Sequence, residues 1–220
     1  MEAHHCFNCD SSIDLLDLAS NFNLVSSDSR PLYVSSEVGI CDACGIVQRP
    51  RFTEWKNRCE EIYKTYIPYP QGEQSEVKNF TNNVSGESRS RSALIEFEKH
   101  FSLLRGLKWL DFGCGSGELL SIVGERYDDV LLFGADKSRY SEARIREHPQ
   151  ITFVDIEELT EKKYDVISLF HVLEHVEDPV NLLKTLKSCL KFRGNLLIRV
   201  PTYEKNPYDL LIYDHANFFH

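Results

Sequence analysis

Two sets of residues in this chain have types and spacings that could do chemistry. The first lies in Leu107 to Leu120, LKWLDFGCGSGELL, where an apolar strand pattern runs into Gly113, Cys114, Gly115 and Gly117 and then into an amphipathic helical start. Glycines there remove Cβ atoms where the backbone must turn sharply and approach a ligand, and the helix start offers unpaired N–H groups, so the stretch reads as a nucleoside-binding loop. A dinucleotide fingerprint places its third glycine three residues after the second; that position is Glu118, which argues against a pyrophosphate ligand. Asp111, two residues before the first glycine, falls at the carboxyl end of the strand and could accept hydrogen bonds from an ammonium group. The second set is Cys6-x-x-Cys9 and Cys41-x-x-Cys44, two knuckles whose four thiolates can close a tetrahedral zinc site. Such a site has no open position and is structural. A redox pair would need only one such motif beside a βαβ unit.

The elements that must position the glycine loop follow in order. Val130 to Ala135, VLLFGA, is a strand pattern ending at Asp136, the place where a doubly wound nucleotide fold holds ribose hydroxyls about 20 residues after its glycines. Ile151 to Val154 ends at Asp155, and Tyr164 to Phe170, YDVISLF, is a buried strand followed by HVLEHVEDP. A helix over Ser92 to Arg105, with Leu94, Phe97, Phe101 and Leu104 on one face, precedes the first strand. A second helix runs from Pro179 to Leu190 behind Asp178 as N-cap. Gly194 breaks it, and Asn195 to Val200 is a fifth strand closed by Pro201. The fold expected is α/β, a doubly wound Rossmann-like sheet.

This arrangement resembles the class I S-adenosylmethionine (SAM) methyltransferases, with Leu107 to Leu120 as their motif I and HVLEHVEDP as the post-strand segment of small-molecule methyltransferases. The resemblance implies SAM as cofactor. It places Asp111, Gly113, Cys114, Gly115, Gly117 and Asp136 around it, Asp155 facing the adenine amine, and Phe170 at the strand end beside it. Methyl transfer from a sulfonium is an in-line displacement, so the protein chiefly aligns the reactants and removes a proton where the acceptor carries one. Histidine suits that task, and His171, His175 and His215 are the candidates; a helical turn would put the first two on one face.

Between the knuckles, Ile13 to Leu18 and Pro31 to Val34 read as short strands or turns around the metal, ordered largely by metal binding. Thr53 to Tyr66 is helical, with Trp55, Cys59, Ile62 and Tyr66 on one face and Pro68 as its stop. Tyr63, Tyr66 and Tyr69 either line a substrate pocket or pack between modules. Gln71 to Arg91 is polar and reads as a linker or lid. His4 and His5 fall outside the ligand set, and Cys59, Cys114 and Cys189 are single thiols. The domains expected are 1–52, a zinc-binding module; 53–91, helix and linker or lid; and 92–220, the SAM-dependent domain.

The whole layout is similar to the zinc-binding sugar C-methyltransferases and related polysaccharide-biosynthesis enzymes. Cys6, Cys9, Cys41 and Cys44 match their zinc ligands, CDACGIVQ their second knuckle, and His175 a pocket histidine. Asp214-His215 followed by Phe218-Phe219 resembles a Glu-His and aromatic segment whose histidine acts as base on a keto-sugar nucleotide. Asp here replaces Glu, and the tyrosine two before the acid is Ile212, with Tyr213 shifted by one. The resemblance therefore implies His215, His175, Asp214 and Tyr213 as catalytic residues, a small-molecule acceptor such as a sugar nucleotide, and C- or O-methylation. The C-terminal domain of that family has no counterpart here, so the chain is expected to be truncated.

Composition narrows the alternatives. At 220 residues and 42% hydrophobic the chain accommodates one full domain plus a small module. No run of about 18 apolar residues occurs, and the start MEAHHCFNCD lacks a secretion signal, so a soluble cytoplasmic protein is expected. A net charge of −9 opposes broad attraction to a polyanion. The competing reading is a zinc ribbon that binds nucleic acid or modifies RNA, carried by Arg49, Arg51, Lys56 and Arg58. Against it, FHVLEH is not the Asn/Asp-Pro-Pro-aromatic motif of base amino-methyltransferases.

Overall fold

A computed structural model describes residues 5–17, 23–66, 78–81, 84–100 and 106–220. The chain forms two compact units: Met1–Tyr66 with His171–Lys184 and Arg199–His220, and Ile67–Phe170 with Thr185–Ile198. Among the described residues no helix is long and apolar enough to cross a membrane.

The first unit opens with β1 (Ile13–Asp17), a short hairpin of β2 (Leu24–Val25) and β3 (Pro31–Leu32), then β4 (Glu37–Cys41), β5 (Val47–Gln48) and helix α1 (Thr53–Lys64). β1 pairs antiparallel with β4 from Ile13 opposite Cys41 to Asp17 opposite Glu37. Helix α1 buries Trp55, Cys59 and Ile62, as its periodicity requires, against Leu24, Tyr213 and Ala216. Pro68 and Tyr69 lie outside the described residues. The last strand, β13 (Asn217–Phe218), pairs antiparallel with β5, Asn217 opposite Gln48 and Phe218 opposite Val47. The end of the sequence thus completes the sheet β1-β4-β5-β13 that the knuckles began.

The second unit holds a hairpin of β6 (Lys78–Thr81) and β7 (Val84–Ser88), helix α2 (Arg89–His100), and then β8 (Lys108–Phe112), α3 (Glu118–Arg126), β9 (Leu131–Ala135), α4 (Arg139–Arg146), β10 (Ile151–Phe153) and β11 (Tyr164–Phe170). Helix α5 (Pro179–Cys189) leads into β12 (Leu190–Arg199). The sheet order is β10-β9-β8-β11-β12, with β10, β9, β8 and β11 parallel. Strand order reverses at β8, which makes the sheet doubly wound and puts its switch point between β8 and β11. The near-continuous apolar runs of these strands fit burial on both faces. Trp109, Leu132 and Val166 share one core with Leu94 and Phe97 of α2.

Two boundaries differ from the sequence expectation. The stretch read as a polar linker contains the β6–β7 hairpin and the start of α2; hairpins of this size carry no long apolar period to announce them. The fifth strand starts at Leu190, not Asn195, and runs through Gly194, where a Cβ would meet the carbonyl oxygen of Asp165 at 3.1 Å. Gly194 is there for close backbone approach and does not break the element.

Candidate functional site

In the sheet unit, the loop after β8 is left-handed at Gly113 (φ 78°), Gly115 (φ 53°) and Gly117 (φ 83°). The N–H groups of Gly113 and Cys114 donate to the Ala135 carbonyl at 2.7 and 3.2 Å, fastening the loop to the end of β9. The last two glycines differ in purpose. A Cβ on Gly117 would come within 2.6 Å of Ile145 Cδ1, whereas one on Gly115 would meet nothing within 4 Å. Gly117 lets α3 and α4 pack; Gly115 lies on the open side, where a ligand can reach the backbone.

Asp136 stands at the end of β9 and clasps this loop. Its Oδ2 accepts the Gly115 N–H at 2.9 Å and its Oδ1 accepts the Ser138 N–H at 2.7 Å. Burial raises its pKa against these hydrogen bonds. A carboxylate can accept about four hydrogen bonds, so capacity remains for ribose hydroxyls. Asp111 is buried in β8 opposite Ser168, whose hydroxyl donates to Asp111 Oδ1 at 2.6 Å. Asp155 is exposed after β10, and Phe170 is half-buried on the core at the end of β11. The Cys114 thiol is buried and points at Gly134, where a Cβ would lie 2.9 Å from the sulfur. Its side chain packs the core, which leaves only its backbone to the loop.

In the other unit, the four cysteines of the two knuckles converge. The sulfurs of Cys6 and Cys44 are 3.6 Å apart and those of Cys9 and Cys41 3.4 Å, close to the edge of about 3.8 Å implied by four Zn–S bonds of about 2.3 Å. Backbone N–H groups point at the sulfurs as the knuckle spacing predicts, Asn8 to Cys6 and Cys44 to Cys41, both at 3.4 Å. Gly45 closes the second turn at φ 72°, and Asp10 takes the same place in the first at φ 60°. The donor set fits a tetrahedral divalent ion.

The same unit gathers the histidines expected to be catalytic, together with carboxylates that the sequence did not mark. His171 follows β11 in the left-handed region, φ 56°, a conformation held by its N–H bond to the Arg199 carbonyl at 2.8 Å. Glu174, His175 and His215 place ligating atoms within 4.8 Å of one another, and the His175 and His215 rings meet edge to face with centroids 4.6 Å apart. Each imidazole turns Nδ1 toward an acid: His175 to Asp214 Oδ2 at 3.4 Å, His215 to Asp209 Oδ1 at 3.0 Å, His171 to Glu174 Oε1 at 3.3 Å. Asp214 also accepts the Ser27 N–H at 2.7 Å, the Ser27 hydroxyl at 2.5 Å and the Tyr63 hydroxyl at 3.4 Å. Burial would raise the Asp214 carboxyl, but the His175 and Ser27 bonds hold it well below the usual carboxylate range. Burial likewise pulls His175 down, and Asp214 overrides it, lifting the imidazole to about 9.

Asp214 thus orients His175, and Asp209, which sequence reasoning missed, is the acid beside His215. Tyr213 does not join them. Its ring is buried in the α1 core, where Arg49 lies 5.7 Å from its centroid. Tyr63, from the tyrosine-rich stretch, does reach the cluster, with its ring edge-on to His175.

Of the basic residues of the competing reading, Arg49 and Arg51 are held inside the protein, while Lys56 and Arg58 form exposed ion pairs. Arg49 is buried and donates to four backbone carbonyls, those of His215, Leu210, Ile212 and Glu37, and to the Ser36 hydroxyl. Arg51 donates to Gln48 and Asn217, Lys56 pairs with Glu177, and Arg58 with Glu61.

Comparison with known proteins agrees with the sheet unit. Residues 80–220 match the family described as Methyltransferase domain. The ubiquinone biosynthesis O-methyltransferase of Acinetobacter baylyi is 29% identical over 119 residues, 50% of this chain and 49% of that protein. The protein of the same name from Hydrogenovibrio crunogenus is 30% identical over 139 residues, 54% of this chain and 57% of that one. The chain spans about half the length of the curated relatives it matches. Among solved structures, a chain in the complex between the Haloferax volcanii Trm112 methyltransferase activator and a methyltransferase aligns with TM-score 0.50 at 19% identity, over 60% of this chain and 64% of that one. At that identity the likeness concerns the fold alone. The strand order, the glycine loop clasped by Asp136 and the family match agree: the chain belongs to the Methyltransferase domain family, and its sheet unit is a class I SAM-dependent methyltransferase domain.

Proposed function

We propose that the protein transfers the methyl group of SAM to a small-molecule acceptor, with Glu174, His175 and His215 as the residues that serve the acceptor's proton. The observation that carries this reading is the convergence of those three residues within 4.8 Å, two of them in the segment that directly follows β11. In the sheet unit, Gly113, Gly115, Gly117 and Asp136 hold the adenosine, with Asp111 on the ammonium side and Asp155 and Phe170 at the neighbouring strand ends.

The acceptor class follows from the resemblance of both knuckles and of the Asp214-His215 segment to the sugar C-methyltransferases. It is a sugar nucleotide with a carbonyl or hydroxyl at the reacting position. A specific observation favours a second class, since the curated relatives are named for an O-methylation in ubiquinone biosynthesis; a phenolic acceptor would use the same cluster with a more acidic proton. The engagement of Arg49, Arg51, Lys56 and Arg58 weighs against a nucleic-acid substrate. The cysteine cage is read as a structural zinc site, and seven free cysteines fit a reducing cytoplasm.

The test is incubation with labelled SAM and three acceptor panels: keto-sugar nucleotides, polyprenylated catechols and RNA. Label in the first supports the proposal, and label confined to the second replaces the sugar by a phenol. Label in RNA alone, or no binding of S-adenosylhomocysteine by calorimetry, overturns it.

A further inference from the structure

Three carboxylates in the first unit are almost wholly buried: Glu174 at 1% exposure, Asp209 at 1% and Asp214 at 0%. Asp214 is well satisfied by Ser27, Tyr63 and His175. The other two are not. Among the described residues Glu174 Oε2 and Asp209 Oδ2 accept no hydrogen bond, and His215 Nδ1 and His171 Nε2 make none; the approach of His215 to Asp209 is out of line for one. Buried polar atoms in this condition are costly, more so when charged, and four of them lie around one cluster.

We propose that Glu174, His175 and His215 hold a divalent metal ion at which the oxygen of the methyl acceptor is bound. Two imidazoles and one carboxylate form a donor set that keeps coordination positions open for a substrate. The ring nitrogens are already arranged for it. His175 turns Nδ1 to the Asp214 carbonyl at 3.1 Å and to its carboxylate, and His215 turns Nδ1 to Asp209. That leaves Nε2 of each ring as the proposed ligating atom. Behind His175 the Asp214 carbonyl and carboxylate fix the ring and raise its basicity, as outer-shell groups of metal sites do, and Asp209 stands 3.0 Å behind the His215 ring. The site differs in kind from the cysteine cage: nitrogen and oxygen donors with open positions, against four thiolates that saturate their ion.

This inference rests on the methyltransferase reading and sharpens it. Open positions beside an ion favour an acceptor with two adjacent oxygens, a hydroxyl next to a carbonyl or to a second hydroxyl. Bound there, the hydroxyl is acidified and its proton goes to solvent. The oxygen lone pair forms the new C–O bond as the C–S bond breaks, and S-adenosylhomocysteine leaves with that electron pair. His215 then serves as a ligand and not as the base that the sequence resemblance implies.

Manganese(II) is the probe, because thiolate cages disfavour it and its free ion has a strong paramagnetic resonance signal. Titrating the full chain should remove that signal for one ion per chain. Glu174→Gln, nearly isosteric, should abolish this binding, and Asp209→Asn should weaken it about 10–100-fold. Should Glu174→Gln fail to fold by circular dichroism, His215→Gln gives the same reading. Wild-type protein that binds S-adenosylhomocysteine but takes up no Mn2+ overturns the ion and spares the methyltransferase reading. Uptake undiminished in both Glu174→Gln and His215→Gln overturns the placement. Protein that takes up Mn2+ but binds no S-adenosylhomocysteine supports the ion and removes the reading beneath it.

Discussion

The Arg49 guanidinium donates to the backbone carbonyl of His215 at 3.2 Å, tying the first residue after β5 to the segment that carries the cluster. The same side chain reaches the carbonyls of Leu210 and Ile212, and its own N–H donates to the Ala216 carbonyl at 2.9 Å. Arg49→Met would keep the buried stem and strand those oxygens without donors, each at about 1–3 kcal/mol. The expected loss is about 3 kcal/mol or more, read as a lower midpoint in urea unfolding. Arg49→Lys, with one charge but no fork, should fall between. A variant within about 0.5 kcal/mol of wild type would show that this network is dispensable.

Asp136, proposed above to hold the cofactor's ribose, also shapes the glycine loop, which sequence alone did not reveal. Asp136→Ala removes the acceptor for the Gly115 and Ser138 N–H groups together with the site for ribose hydroxyls. S-adenosylhomocysteine affinity should fall by about 1–3 kcal/mol, roughly 5–150-fold, by calorimetry. Unchanged affinity would remove Asp136 from the cofactor site.

The sheet unit was legible because its signals are local. Three glycines, a strand ending in Asp136 and the apolar run of β11 each announce themselves within a dozen residues, and so does each cysteine knuckle. Glu174 and Asp209 carry no such mark among 34 acidic residues. They acquire meaning only when the Asn217 side-chain amide donates to the carbonyls of Leu173 and Val176 at 2.8 and 2.7 Å and Ala216 N–H to that of Glu174 at 2.6 Å, joining segments some 40 residues apart. β13 is two residues long, too short for any period, so the tail's return to β5 was invisible. Tyr213 turns its ring into the α1 core, and a resemblance in order does not say which way a ring turns.

The glycines of the loop make a paired prediction. Gly117→Ala meets both a left-handed backbone and Ile145 Cδ1 at 2.6 Å, so it should destabilise by more than the 1–2 kcal/mol that chirality alone exacts. Gly115→Ala suffers the backbone term without the clash, yet puts its methyl on the open side of the loop, the proposed cofactor side. Thermal unfolding should therefore rank Gly117→Ala as the less stable variant, and calorimetry should give Gly115→Ala the larger loss of S-adenosylhomocysteine affinity per degree of Tm lost. The opposite ranking would mean that the open side of the loop is not the ligand side.

If the cysteine cage holds zinc as proposed, its removal should be felt at β13. Cys41 closes β4 and stands opposite Ile13 of β1, while β4 pairs with β5 and β5 with β13. A structural zinc ion would contribute its binding free energy to this sheet directly. Treatment with a strong thiophilic chelator, or Cys41→Ser, should lower the Tm of the first unit. It should also raise amide exchange at Val47, Gln48, Asn217 and Phe218, while β8 and β11 of the other unit keep their protection. If Asn217 and Phe218 stayed protected after complete metal loss, this sheet would owe its order to the Arg49 network and the α1 core, and the cage would be a peripheral clip.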